Sequence, residues 1–492
     1  MMRLSRTALS RLSGNIQLPE YRRSALRPGI VHIGVGNFHR AHQAVYMDDL
    51  FSRGVDHDWA IVGAGVRQDD ARMRKLLAGQ DFLSTVVELD PEGTTGRIVG
   101  SMTDFLPVQK HNTALVEAMA RPETRIVSMT VTEGGYFIDP STNAFDAGHR
   151  EIILDANTPS SPQTLFGAIV LALSKRKYAR TAPFTVLSCD NIPRNGDATQ
   201  KTVTGLAALS DPGLAAWIQD KVSFPNAMVD RITPATGESE IALVRDRFHY
   251  DDPAPVTCEP FRQWILEDRF SAGRPRLEDV GVTFTSDVHL YENMKIRILN
   301  GGHAIIAYTA ALLDIEFVHQ AMADPAISSY LNKVQNEEVL PHVAPVPEMS
   351  PGRYLNLIEC RFKNPRIKDT VHRLCFDGSN RQPKFIVPLI NDRLRHEGSA
   401  SGLALVSALW CRYCAGTTEA GRKIAPNDPK WDHLTNAAAQ ARFDPMAWLH
   451  QVNAYGPLAG QPEFALEFER WLGQIWGNGV RDTLNEYTDE HI

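Results

Sequence analysis

Gly29–His42 reads GIVHIGVGNFHRAH, a β-branched apolar run that passes directly into a glycine turn and then a helical stretch. Gly34 and Gly36 supply the first two positions of a GxGxxG turn, where a dinucleotide pyrophosphate meets backbone N–H groups at a helix N-terminus. The candidate cofactor turn is therefore Gly34, Val35, Gly36, Asn37, Phe38, His39 and Arg40. His39 stands where the third glycine belongs. That position governs how closely helix and strand pack, so a larger residue implies altered packing or a contact with the ligand. An incomplete motif is weak by itself; its place after the first strand and before the helical run Ala41–Leu50 distinguishes it from a simple chain reversal.

Working outward, further strand-like runs lie at Trp59–Val66, Phe82–Leu89, Thr124–Thr132 and Phe184–Cys189. Helical apolar spacing covers Ser161–Lys177 and Ala198–Leu209 between them. Such alternation predicts βαβ units and a largely parallel sheet. After about residue 285 the pattern changes to helices, at Asp287–Leu313, Ser328–Glu338, Ile367–Leu374, Ser401–Cys414 and Pro462–Gly473. The fold class expected is α/β, with a Rossmann-like dinucleotide-binding domain over residues 1–285 and a mainly α-helical catalytic domain over 286–492. The 492 residues allow two or three domains of ~100–200 residues each.

Composition narrows the function classes. Charged residues make up 22% and the net charge is −7, which excludes the broad basic footprint of a nucleic-acid binder. No apolar run reaches the ~20 residues needed to cross a bilayer. The basic, serine-rich first nineteen residues, with Arg3, Arg6 and Arg11 and no acid, share the composition of organellar transit peptides. No apolar signal core follows, and the segment reads as a frayed arm on a cytoplasmic protein. The absence of a heptad seam fits a monomer. Six cysteines in this length form no disulfide scaffold, and the lone Cys411-x-x-Cys414 reads as two thiols on a helix, since zinc needs three or four protein ligands. No metal is expected.

Two stretches carry candidate chemistry. After the second strand come Arg67-Gln68-Asp69-Asp70; Asp69 suits an adenosine ribose hydroxyl and favours NAD over NADP, although a plain surface charge at a helix start explains it equally well. Further on, Asp287–Ile306 reads DVHLYENMKIRILNGGHAII. On an α-helix Lys295 lies about 80° around from His303, and Asn300 and His303 share a face. The three converge if the helix persists through Gly301-Gly302. A desolvated lysine loses proton affinity and serves as a general base, while an amide can donate to a developing alkoxide. A snorkelling surface lysine is the competing reading. Tyr291-x-x-x-Lys295 also has the spacing of short-chain dehydrogenases, but the chain is about twice too long and lacks their TGxxxGxG turn.

At this point the residues resemble the polyol-specific long-chain dehydrogenase family. The anchors are GVGNFHRAH (Gly34–His42), TVTEGGY (Thr130–Tyr136), VSFPNAMVDRITP (Val222–Pro234), KIRILNGGH (Lys295–His303) and DTVHRLCFDGSNRQPKF (Asp369–Phe385), which cover most of the chain. The signature VDRITP together with KxxxxNGGH is specific.

The resemblance implies reversible, NAD-dependent and metal-independent oxidation of a secondary alcohol on a linear polyol to a ketose, D-mannitol to D-fructose. It makes Lys295 the general base, Asn191 and Asn300 the oxyanion donors, His303 a positioner of substrate, and Glu292 a gate for the proton between lysine and water. It places Asp230 and Val229 at substrate or nicotinamide, Arg373 at distal hydroxyls, with Arg381 or Lys384 beside it, and Glu133 near the nicotinamide. Relatives acting on fructuronate, tagaturonate or arabinitol remain open alternatives. A non-catalytic nucleotide sensor is the alternative from another class, disfavoured by the presence of Lys295 and Asn300.

Overall fold

The computed structural model describes residues 1–12, 14–131, 133–139, 142–396 and 398–490. The chain divides into two compact units, Met1–His289 and Leu290–Ile492.

In the first unit, Pro28–Ile33 (β1), Ala60–Ala64 (β2), Met102–Phe105 (β3), Ile126–Met129 (β4) and Thr185–Ser188 (β5) form one sheet in the order β3-β2-β1-β4-β5. Every pairing is parallel, with Ile33 opposite Ala64 on one side and Met129 on the other. The central strands are buried and mostly apolar because both faces are covered, and their polar exceptions, His32 and Ser128, hydrogen-bond to each other. Ile30, Ile61 and Leu187 enter one core, while Val31, Ala64, Val127 and Val186 enter the other. Helices Asn37–Ala41 (α1), Gln43–Ser52 (α2) and Gln68–Ala78 (α3) pack into the first core, and Leu165–Ala179 (α4) and Asn195–Ser210 (α5) into the second. This is the doubly wound, Rossmann-like arrangement.

Two expectations change here. Phe82–Leu89 forms a strand, Ser84–Asp90, but pairs antiparallel with Gly93–Val99 and parallel with Val256–Cys258, outside the main sheet. The N-terminal arm is not frayed: Met2–Arg3 pairs with Tyr250–Asp251, and Leu4 and Ala8 are buried. Two apolar side chains hold a segment whose overall composition is polar. A third small sheet pairs Ala227–Asp230 with Gln263–Leu266, and the latter with Thr283–Phe284.

The second unit is helical, and its described residues contain only isolated bridges, no paired strands. Val288–Met294 (α6) runs into a π-helical segment, Lys295–Asn300, and then into Gly301–Leu312 (α7). Pro325–Val334 (α8) likewise continues as a π segment, Gln335–Val339. Pro351–Phe362 (α9), Ser401–Cys414 (α10) and Pro462–Asn478 (α11) follow. All fourteen residues of α10 are buried, and α11 packs along it. Cys411 and Cys414 lie inside α10, where burial raises both thiols well above their ordinary range. The helix expected at Ile367–Leu374 shrinks to Val371–Cys375, because Lys368 is left-handed (φ 48°) and the Thr370 hydroxyl caps the new start. No helix among the described residues is long and apolar enough to cross a membrane.

Candidate functional site

The two glycines of the turn do different work. Gly34 follows β1 with φ +93°, and a Cβ there would lie 2.1 Å from the Thr130 carbonyl oxygen. Its N–H donates to Ala64 O at 3.0 Å, and its carbonyl accepts from Thr130 Oγ1 at 2.6 Å, tying β1 to both neighbours. Only glycine fits this backbone. Gly36 has an ordinary φ of −93° and caps α1, and a Cβ on it would meet nothing within 4 Å. The space in front of Gly36 is open, as a closely approaching phosphate requires.

His39, at the third-glycine position, is buried and stacks on His32 of β1 with ring centroids 3.5 Å apart. Burial drives His32 down to about 3 and His39 well below its usual value, so both rings are neutral. Of the two readings for this position, altered packing is therefore observed. Arg40 is buried and donates to Gly36 O, Ala254 O and Asn37 Oδ1, while Asn37 donates to Pro234 O and Thr236 Oγ1. Val35 is in the core, and the partly buried Phe38 stacks on His42. These four side chains brace the turn and leave its backbone to face a ligand.

A cavity of about 510 Å³ opens at the carboxyl ends of β1, β2 and β4, lined by Gly34, Arg67, Asp70, Thr130, Gly134 and Gly135 among others. It lies where the sheet order reverses, the place where doubly wound folds bind nucleotides. The open space at Gly36 and this cavity together fit a dinucleotide. Asp70 accepts from the N–H groups of Val66 and Arg67, both at 2.9 Å, and so caps α3. Asp69 is exposed in the first turn of α3 and does not line the cavity. Glu133 begins a short 3-10 turn after β4, and its side chain lies outside the described residues.

Asn191 is exposed in the loop after β5. Two neighbours set that loop. Asp190 accepts from Val131 N at 2.9 Å and from the Tyr136 hydroxyl at 2.5 Å. Asn195 donates to Asp190 O and Ala227 O, and accepts from Ala227 N. Val229 and Asp230 are buried at the end of the strand so anchored. Arg231 turns away into the fold: it donates to Glu259 O, Ala41 O and Glu88 Oε1, the last at 2.5 Å. It is a structural clamp, ion-paired with Glu88.

In the helical unit Glu292 and Lys295 are both buried, three residues apart. The helix does continue through Gly301-Gly302, with Gly301 at φ −59° and ψ −46°. The π winding of Lys295–Asn300 overturns the 80° separation from His303, which holds only for an α-helix. Asn300 Oδ1 and His303 Nε2 are each enclosed with no hydrogen-bond partner among the described residues. The His303 ring stacks on Phe362 at 4.3 Å. Burial lowers His303 to about 3; Asp369 opposes this, while Arg373, Arg381 and Arg361 reinforce it. Arg373 pairs bidentately with Asp369 at 2.5 and 2.6 Å, and Arg381 donates to Leu374 O at 2.8 Å. Lys384 is exposed. His303 is thus a neutral imidazole within electrostatic reach of Arg373 and Arg381, with Asn300 three residues before it on the same continuous helix.

The residues that sequence reading missed are the braces: His32, Thr130, Asp190 and Asn195 in one unit, Gln335 in the other. His32 lies in the opening run Gly29–His42 and Thr130 in the block Thr130–Tyr136, but nothing in the sequence marks the contacts they make.

A model of the mannitol dehydrogenase Rossmann domain matches residues 28–279, and one of the mannitol dehydrogenase C-terminal domain matches 287–476. A mannitol 2-dehydrogenase of Cereibacter sphaeroides is 58% identical over 476 residues, covering 97% of this chain and 99% of that one. A mannitol dehydrogenase of Saccharomyces cerevisiae is 39% identical over 490 residues, covering 99% and 98%. Among solved structures, the Pseudomonas fluorescens mannitol 2-dehydrogenase ternary complex with NAD and D-mannitol superposes with a TM-score of 0.90 at 42% identity, covering 100% of both chains. A substrate-free D-sorbitol dehydrogenase gives 0.88 at 32%, covering 98% of this chain and 100% of that one. Glycine turn, switch-point cavity and lysine–asparagine–histidine helix thus stand in a chain that belongs to the mannitol dehydrogenase family.

Proposed function

We propose that this chain catalyses the NAD-dependent, reversible oxidation of D-mannitol to D-fructose. The observation that carries the reading is whole-chain likeness, at 42% identity and a TM-score of 0.90, to an enzyme structure holding NAD and D-mannitol together. Bound NAD supplies the hydride acceptor. The backbone of Gly34–Arg40 takes the pyrophosphate, with Gly36 offering the unobstructed face. Asp69 takes the adenosine ribose, since Asp70 is spent as a helix cap, and Glu133 stands on the nicotinamide side. Lys295, buried in its π segment, removes the hydroxyl proton. Asn191 and Asn300 donate to the oxygen as it gains charge, a role that makes the reaction metal-independent. Glu292 passes the proton between Lys295 and water. Neutral His303 orients the substrate, Asp230 and Val229 contact substrate or nicotinamide, and Arg373, with Arg381 or Lys384, holds the distal hydroxyls.

The enzyme is further proposed to be a cytoplasmic monomer, which light scattering tests for its second half. NADH formation with mannitol, arabinitol, sorbitol and mannonate tests the substrate, and mannitol is expected to lead. Lys295→Ala should lower turnover by about 100-fold or more while NADH affinity stays unchanged. Unaltered turnover in that variant would sink the lysine's role. Tight NADH binding without turnover of any of the four would favour the sensor.

A further inference from the structure

The π segment Lys295–Asn300 needs something to hold it. A π turn carries one residue more than an α turn, and such turns are rare and frequently lie at functional sites. At its C-terminal end the Gly301 N–H is divided between Ile296 O, the wide i→i+5 bond, and Ile298 O. The Ile298 carbonyl is met from the side by Gln335, whose Nε2 donates to it at 3.1 Å. Gln335 is fully buried and stands at the start of the second π segment, Gln335–Val339. Gly302 makes room for it: a Cβ there would lie 3.2 Å from Gln335 Nε2 and 3.4 Å from Phe362, the ring on which His303 stacks.

We infer that Gln335 is a positioning residue for the oxidation, holding the π register that sets Lys295 against Asn300 and His303. The inference rests on the proposed roles of those three residues. Without the side-chain donor, the Ile298 carbonyl keeps only its share of the Gly301 N–H, and α winding gives it a full i→i+4 bond. Losing the extra residue turns everything before the segment by roughly 100° relative to everything after it. Lys295 and His303 lie on opposite sides of that slip.

The test uses Gln335→Met, which keeps length and flexibility but removes the donor, and Gln335→Glu, whose carboxyl donates only when protonated. In Gln335→Met, kcat for mannitol oxidation should fall on the order of 100-fold, since misplacement by about 1 Å has that effect. NADH affinity should be unchanged, and amide exchange in the 295–303 peptide should quicken. In Gln335→Glu, the rate of fructose reduction relative to the unmodified enzyme should recover as pH falls from 8 to 5, because burial raises the new carboxyl into that range. A merely structural role gives no such recovery. A folded Gln335→Met with the parent kcat and pH profile overturns the inference, as does a flat ratio for Gln335→Glu, which carries the test if the methionine variant does not fold. If the parent enzyme itself turns over no polyol, the functional reading fails separately. Amide exchange in 295–303 then decides the anchoring: quickened exchange sustains it, and unchanged exchange refutes it.

Discussion

Replacing Gly34 and Gly36 one at a time by alanine separates a glycine the fold needs from one the ligand needs. At Gly34 the alanine is held at φ +93°, where an L-residue costs roughly 1–2 kcal/mol. Its methyl would also stand 2.1 Å from Thr130 O, more than 1 Å inside contact distance. Relieving that clash means moving β4 or the turn, with Gly34 N–H bonded to Ala64 and Thr130 Oγ1 bonded to Gly34 O resisting. Overpacking of this kind costs about 1–3 kcal/mol, so the sum is about 2–5 kcal/mol. At Gly36 neither cost arises: φ is −93° and nothing lies within 4 Å. Stability should stay within about 1 kcal/mol.

Binding should sort them differently. The Gly36 methyl fills the space proposed for the pyrophosphate, so NADH affinity should fall at least about tenfold, or 1.4 kcal/mol. Urea unfolding followed by fluorescence gives the first quantity and NADH titration the second. A Gly34→Ala protein as stable as the parent would refute the strained-turn argument. A Gly36→Ala protein that binds NADH with parent affinity would place the phosphate elsewhere.

Two further expectations follow from buried charge and buried imidazole. Arg231→Met removes a fully buried guanidinium with three acceptors and leaves Glu88 and two carbonyls unanswered, at about 3–5 kcal/mol; a loss under 1 kcal/mol would show that the clamp is dispensable. His32, His42 and His303 sit near 3 and His39 well below its usual value, each through burial, whereas the unfolded chain titrates near 6.5. The unfolded state therefore binds more protons below pH 6.5, and stability falls as pH drops from there towards 3. By pH 5 the loss should be roughly 2 kcal/mol per histidine, and calorimetry should find about four protons taken up by these rings on unfolding. Stability that is level between pH 7 and 5 would contradict the assignment of neutral rings.

What the sequence makes legible is what neighbouring residues decide. Four of the five sheet strands stand out because a strand covered on both faces is a short, mostly apolar and β-branched run. The fifth, Met102–Phe105, does not, because its two central residues, Thr103 and Asp104, are not buried at this edge of the sheet. Phe82–Leu89 is recognisable as a strand, yet its pairing with Gly93–Val99 depends on partners that alternation cannot name. The same holds at the site. Lys295, Asn300 and His303 fall within nine residues and read as a group. Gln335 reaches its carbonyl across 37 positions and Asp190 its amide across 59, and neither carries a local mark. The π winding is silent too, since Lys-Ile-Arg-Ile-Leu-Asn has ordinary helical apolar spacing and the extra residue is imposed by what packs against it.

The missing third glycine shows how a departure from a motif can be absorbed on one side of a turn and leave the backbone of the other side unchanged. In a full GxGxxG turn the third glycine lets the helix lie close along the first strand. Here the helix does not continue along the strand: α1 ends after five residues, His42 breaks the winding at φ −118° and ψ −91°, and α2 starts again beyond it. That break makes room for an imidazole, and His39 fills it by stacking on His32 of β1. Arg40 then fastens the shortened helix to Gly36 O, Asn37 and Ala254. Every adjustment is made on the protein side of the turn. The ligand side depends on Gly34, which fixes the bend, and Gly36, which keeps its face clear, and both are present. The two glycines on the side proposed for the phosphate therefore carry more weight in recognising such a turn than the one that meets the strand.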